Sequence, residues 1–208
     1  AYNGIEWLNE QIESILNQKN VAVHLVVSVD PSNDGTEEYF QKLAMVEPRV
    51  TLLSTGQKFG GAAPNFFRLV HDTDFLDFDF VALADQDDVW YLDKLSRACK
   101  SIVANNVDAY SSNVDAFWPN GTQVLLDKAQ PQTKYDYLFE SSGPGCTFVF
   151  SRILMDHIQS SIQKDYVGIQ SVWMHDWFFY NFARFNGFKW LLSSWIFPFF
   201  FQKLNSFL

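Results

Sequence analysis

Two runs of mostly apolar residues, Val21 to Val29 and Phe78 to Ala84, each stop abruptly at an acid, Asp30 in one case and Asp85 in the other. Runs this continuous lack the alternation of a strand with one wet face, so they predict strands of a sheet covered on both sides. The stretches between them repeat at helical spacing. Ile5, Leu8, Ile12, Ile15 and Leu16 mark a first helix with Asn3 as its cap, and Glu37 to Met45 marks a second, capped by Thr36. Val50 to Ser54 reads as a further strand, and Ala63 to His71 as a third helix behind a glycine-rich loop. Strand and helix in alternation predict an α/β fold with a mixed, mostly parallel sheet flanked by helices, which binds its ligands outside the carboxyl ends of the strands. Asp30 and Asp85 fall at that edge.

Beyond Asn106 the alternation gives way. Short segments at Ala109 to Ser112 and Ala116 to Trp118, the turn Asn120-Gly121 and then Val124 to Leu126 form a hairpin pattern. Further helices are expected over Ile153 to Gln163 and His175 to Phe185. A chain of 208 residues, 48% hydrophobic, can bury a full core, and one domain is expected over 1–208. Its formal net charge of −9 would repel a nucleic-acid backbone or an anionic lipid surface, which disfavours nucleic-acid partners. An anionic substrate would need a bound cation. Cys99 and Cys146 stand in no metal-binding or disulfide spacing and read as buried thiols. No secretory leader pattern opens the sequence, so the cytoplasm is the expected compartment. The aromatic stretch Phe188 to Phe201, broken by Ser193, Ser194 and Pro198, is shorter than the ~20 apolar residues of a membrane span. It reads as buried strand, with peripheral contact against a bilayer surface as the lesser alternative.

Asp85-Gln86-Asp87-Asp88 places three acids within four residues directly after a strand. Carboxylates so close repel one another, and a hard cation with oxygen ligands offsets the repulsion while leaving positions open for substrate phosphates. The alternative is a solvated loop in which Asp88 merely favours the first turn of a helix beginning near Tyr91. The other acidic loop, Asp30-Pro31-Ser32-Asn33-Asp34-Gly35-Thr36, partly fits a calcium-binding EF-hand loop. Gln41 stands where that loop requires Glu, however, and the preceding segment is β-like. A loop that reads a nucleoside, or simple turn chemistry, fits it better.

These segments resemble family 2 glycosyltransferases. Ala1-Tyr2-Asn3-Gly4 with Trp7-Leu8, Gln11 and Ser14-Ile15-Leu16-Asn17-Gln18 resembles the family's first loop and helix, and the loop from Asp30 to Thr36 its nucleoside-reading loop. Asp85-Gln86-Asp87-Asp88-Val89-Trp90 resembles the DxD metal motif of rhamnosyltransferase-like members. Gly143-Pro144-Gly145-Cys146-Thr147 resembles the acceptor-side glycine loop, and Met174-His175-Asp176-Trp177 the segment carrying the catalytic base.

The resemblance implies a Rossmann-like GT-A fold, with 1–106 as the nucleotide-sugar-binding half and 107–208 as the acceptor-side half. It implies Mg²⁺ or Mn²⁺, a UDP- or dTDP-sugar donor, a glycan or lipid-linked glycan acceptor, and inversion at the anomeric carbon. Tyr2, Asp30, Asn65 and Asp85 would hold the nucleotide sugar, and Asp87 and Asp88 the metal. Asp176 would act as general base, with Gly145, Cys146, His175 and Trp177 on the acceptor side. Such a protein would build a cell-surface polysaccharide, in the cytoplasm or against the inner face of the membrane. The family normally places a strand before Tyr2-Asn3-Gly4, so the central sheet is expected to lack a strand here. Where related chains carry an Arg, Gln, His cluster expected to face the diphosphate, Phe200 to Asn205 keeps Gln202 and Asn205 but replaces the Arg and His, with Lys203 as the candidate point charge in their place. Two alternatives stand beside this reading. One is a catalytically inactive domain that binds a nucleotide or a partner; the other is a sugar-phosphate nucleotidyltransferase. The second would show a glycine-rich basic loop near its start, whereas Ala1 to Glu10 holds one glycine and no Lys or Arg.

Overall fold

The computed structural model describes residues 1–118 and 120–200. Its elements are α1 (Ile5–Leu16), β1 (Leu25–Val27), α2 (Thr36–Val46), β2 (Val50–Leu52), α3 (Ala62–Asp72), β3 (Phe80–Ala82) and α4 (Lys94–Asn105). After them come β4 (Ala109–Phe117), β5 (Gln123–Leu126), β6 (Val149–Ser151), α5 (Arg152–Lys164), α6 (Tyr166–Ile169), α7 (His175–Phe185) and β7 (Trp190–Phe200). Gln202, Lys203 and Asn205 lie outside the described residues.

The strands form a parallel pair, β1 with β2, and a larger sheet in the order β3-β6-β4-β5, with β7 parallel alongside β4. This is the mixed α/β arrangement that the alternation predicts, but its larger part is more antiparallel than expected. The reason is β6, which arrives from the second half of the chain and enters between β3 and β4, running against both. The two short segments expected around Ala109 and Ala116 are one strand, β4, whose register against β7 shifts between Ser112 and Asn113. At that irregularity the Asn113 side-chain carbonyl accepts the N–H groups of Lys128 and Ala129 at 2.7 and 2.8 Å. The aromatic stretch near the end is a paired strand, as expected, with Trp190 buried and its Nε1 donating to Ser111 Oγ at 2.9 Å.

Both faces of the larger sheet are covered. On one, Phe67 of α3, Leu154 and Ile158 of α5 and Phe179 of α7 pack against Phe148 and Phe150. On the other, Ala98 and Ile102 of α4 pack with Trp90, Tyr110 and Val149. The parallel pair has its own core, in which Leu8 and Ile12 of α1 and Phe40 of α2 meet Val27 and Val50. No hydrogen bonds join β1 to β3 among the described residues. A cavity of about 180 Å³ lies between them, walled by Val26, Val27, Val81 and Ala82 with Phe66 and Val70 of α3. At its end Ala1 N donates to the Ser28 carbonyl at 2.5 Å and Asp30 N donates to the Ala1 carbonyl at 2.8 Å, the bonding pattern of a parallel ladder. No described helix is long and apolar enough to cross a membrane.

The helix caps differ from the expectation. Asn3 and Thr36 are not the caps of α1 and α2; Gly4 and Gly35 hold those positions and neither offers a side chain. Asp34 does the work for both helices. Its Oδ2 accepts Ile5 N at 3.0 Å and its Oδ1 accepts Thr36 N at 3.0 Å and Thr36 Oγ1 at 2.7 Å. One carboxylate thus satisfies the first free N–H groups of two helices and ties the two loops together. Partial desolvation pushes the Asp34 carboxyl up, and the bonds from Thr36 and Ile5 outweigh it, leaving its pKa lowered.

Candidate active site

The acidic loop after β3 is held by polar side chains of α1 and of the segment just after it. Gln11, Ser14 and Gln18 repeat at helical spacing beside the apolar stripe, and all three are buried. Gln11 Nε2 donates to the Asp85 carbonyl, and Ser14 Oγ accepts Trp90 N at 2.9 Å. Gln18 donates to the Tyr91 carbonyl at 2.6 Å and accepts Leu95 N at 2.9 Å. The loop is therefore a fixed structure before any ligand arrives. The sequence reading named Gln11, Ser14 and Gln18 only within the family resemblance and gave them no contact, and their spacing was the available signal. Because α4 starts at Lys94 and Asp88 is only 3% exposed, the solvated-loop reading of Asp88 is set aside.

Gln86 turns away from the acids. Its amide carbonyl accepts Tyr2 N at 2.6 Å and its amide nitrogen donates to the Tyr2 carbonyl at 2.9 Å. A Cβ at Gly4 would stand 2.9 Å from Gln86 Cδ, so this clamp requires the glycine. Tyr2, mostly exposed, is thereby held at the rim of a cavity of about 610 Å³.

Asp30, Asn65, Asp85, Asp87, Asp88 and Cys146 all line that cavity. Asp30 gathers the glycine-rich loop, accepting Phe59 N at 3.1 Å and Gly60 N at 2.8 Å. The side-chain oxygen of Asn65 is buried without a hydrogen-bond partner. Ligand atoms of Asp85, Asp88 and Cys146 lie within 4.8 Å of one another, and Asp88 Oδ2 is buried and unbonded. That orphaned oxygen, among carboxylates facing a cavity, fits a bound cation. Asp87 faces the same cavity from outside the trio, whereas Cys146, expected on the acceptor side, stands among the donor-side acids. Burial pushes the Asp85 carboxyl up to about 6, with the neighbouring Asp176 and Asp87 charges adding to it and His175 opposing. Burial raises Asp87 as well, and burial with the charges of Asp85 and Asp87 raises Asp88 well above the usual carboxylate range.

Of the acceptor-side residues Cys146 lines this cavity, whereas Gly145, His175 and Asp176 stand behind its lining. Gly145 opens a single 3₁₀ turn, Gly145–Thr147, and Asp176 lies in the first turn of α7. Asp176 Oδ1 is 2.7 Å from His175 Nε2, and the His175 ring stacks on Phe66, a cavity residue, at 4.1 Å. A Cβ at Gly145 would lie 2.2 Å from Asp176 Oδ1, so the bare glycine is what admits the carboxylate. Trp177 is not brought into this cluster. Its Nε1 donates to the Tyr137 carbonyl at 2.8 Å, and it lines a separate cavity with Trp173 and Met174. Missed by the sequence reading was Lys94, a buried lysine at the start of α4.

The family model described as "Glycosyl transferase family 2" matches residues 1–158. The dTDP-rhamnosyl transferase RfbG of Shigella flexneri is 41% identical over 194 residues, which cover 93% of this chain and 67% of that protein. Among solved structures, S. aureus TarS 1–349 in complex with UDP-GlcNAc superposes with a TM-score of 0.70 at 16% identity, over 100% of this chain and 58% of that one. The mannosyltransferase PcManGT of Pyrobaculum calidifontis, in complex with GDP-Man and Mn²⁺, gives a TM-score of 0.65 at 17% identity, over 95% of this chain and 54% of that one. The chain thus spans between about half and two thirds of the length of these proteins, and the structural likenesses establish the GT-A glycosyltransferase fold.

Proposed function

The chain belongs to glycosyl transferase family 2, and from that premise we propose that it moves a deoxyhexose, rhamnose, from dTDP to an acceptor hydroxyl, inverting the anomeric carbon. The donor follows from the likeness to RfbG. The observation that supports the chemistry is three acids at a strand end lining one cavity, with the Asp176 carboxylate against Gly145, next to the cavity residues Pro144 and Cys146, and near enough to Asp85 to raise its pKa.

Tyr2, Asp30, Asn65 and Asp85 hold the nucleotide sugar in this reading. Asp85, Asp87 and Asp88 hold Mg²⁺ or Mn²⁺, which when bound stabilises negative charge on the departing diphosphate. Asp176 accepts the acceptor's hydroxyl proton as that oxygen attacks the anomeric carbon from the face opposite the diphosphate. The new glycosidic bond forms as the sugar–phosphate bond breaks, and dTDP leaves with the bonding electron pair. His175, stacked on Phe66, sets its Nε2 2.7 Å from Asp176 Oδ1 without hydrogen-bond geometry, so both atoms are left buried and unbonded beside the proposed base. The acceptor is a glycan or lipid-linked glycan of a growing cell-surface polysaccharide, met in the cytoplasm at the inner face of the membrane.

The test is transfer from dTDP-rhamnose, with UDP-glucose as the competing donor, by the wild type and by Asp176→Asn and Asp87→Asn. Each variant is expected to lose transfer by a factor of 10² or more with an unchanged melting temperature. Two fully active variants would sink the site assignment, and a folded wild type with no transfer from any donor would favour an inactive binding domain.

A further inference from the structure

The first residue of α4 places an ammonium where none is expected. Lys94 is 1% exposed, its Nζ donates to the Cys146 carbonyl at 2.6 Å, and it stands 3.3 Å from the centroid of the Trp90 ring. Burial pushes the Lys94 amine down to about 7, and the charges of Cys146, Asp88 and Asp85 oppose that shift and favour the ammonium form. Asp85, Asp87, Asp88 and Cys146 line the 610 Å³ cavity, whereas Lys94 does not. The lysine therefore sits behind the acidic wall, out of reach of a ligand and not displaceable by one. Through the Cys146 carbonyl it also fastens the turn whose Gly145 admits Asp176.

We infer that Lys94 is a positioning residue: a built-in counter-cation that weakens the acidic loop's hold on a lone divalent ion, so that metal and nucleoside diphosphate bind as a pair. The inference rests on the proposed nucleotide-sugar site. Three carboxylates within four residues would attract a divalent cation strongly on their own. An ammonium behind them lowers that attraction and, by the same field, lowers their repulsion of a diphosphate. The two effects have opposite signs for the two ligands. A lysine that served only to fill space would not produce that split.

The experiment compares wild type with Lys94→Met, which keeps the length of the side chain and removes its charge. Mn²⁺ binding is read from the spin-resonance signal of the free ion and dTDP binding by calorimetry, each ligand alone and both together, with UDP as a second nucleotide. The variant is expected to bind Mn²⁺ alone at least tenfold more tightly, and to bind dTDP without metal at least tenfold more weakly. Loss of affinity for both ligands, or no change in either, overturns the inference and leaves the proposed function standing. Should the variant fail to fold, Lys94→Gln, which keeps a donor for the Cys146 carbonyl and removes the charge, takes its place with the same readouts, and the absence of opposite shifts for the two ligands overturns the inference. A folded wild type that binds neither nucleotide nor metal removes the proposed site, and this inference with it.

Discussion

Gly145→Ala separates catalysis from folding. The added Cβ would stand 2.2 Å from Asp176 Oδ1, 3.1 Å from its Cγ and 3.2 Å from His175 Nε2. Against an ordinary heavy-atom separation of roughly 3.5 Å, the carboxylate must withdraw by about 1 Å. Only the end of a side chain has to move, so the folding penalty should sit at the low end for overpacking, about 1 kcal/mol. A base displaced by about 1 Å costs on the order of 10²-fold in rate, or roughly 2.7 kcal/mol of barrier. The assay is kcat/KM for sugar transfer beside a thermal melt, repeated in an Asp176→Asn background. If Gly145 acts by admitting the base, the same methyl group should cost less than about threefold once the base is gone. A folded Gly145→Ala protein with more than half of the wild-type activity would refute the argument. So would a full hundredfold loss on top of Asp176→Asn.

Gln86→Ala removes both hydrogen bonds to the Tyr2 backbone, each worth about 1 kcal/mol, and should weaken nucleotide binding by about tenfold in calorimetry; unchanged affinity would show that Tyr2 needs no clamp. Asp34→Ala strips a cap from both α1 and α2, at about 1 kcal/mol each, and should lower stability in urea by about 2 kcal/mol at neutral pH. Because the folded pKa of Asp34 is lowered from 3.8, its contribution is present above that value and lost as pH falls through the folded pKa, so mutant and wild-type stabilities should converge in acid. Burial pushes the Cys99 thiol up to about 11 and the Cys146 thiol well above 9. Both should react with iodoacetamide at pH 8 at least tenfold more slowly than in the unfolded chain, and the thiols should cost stability as pH rises from about 9 towards 11. Rapid labelling of the folded protein at pH 8 would contradict their burial.

What could be read in advance was whatever a local pattern encodes. The strand before Asp85 announced its acidic loop because an apolar run that ends in carboxylates has few other uses, and α7 occupies the expected His175 to Phe185 because its apolar spacing is unbroken. Strand order was not readable. The placing of β6 between β3 and β4 depends on contacts such as Val81 with Phe150, far apart in the chain and with no local signature. The caps misled for a similar reason, since Asn3 and Thr36 are ordinary capping residues while Asp34 reaches both helix starts only once the two loops meet. Within the site, Asp30, Asn65, Asp85, Asp87 and Asp88 converge as expected, whereas Cys146 stands with the donor-side acids and Trp177 turns outward. Gln86 and Lys94 act through bonds to residues far along the chain, and spacing alone cannot disclose such bonds.

The most direct test of the central claim is diffraction from crystals of the chain grown with dTDP and Mn²⁺, measured at the manganese absorption edge. The account predicts one anomalous peak at roughly 2.1–2.3 Å from carboxylate oxygens of the Asp85 to Asp88 loop and from the diphosphate, with the nucleoside running past Asp30 towards Tyr2. A nucleotide bound away from this cavity, or manganese bound without any of those carboxylates, would contradict it.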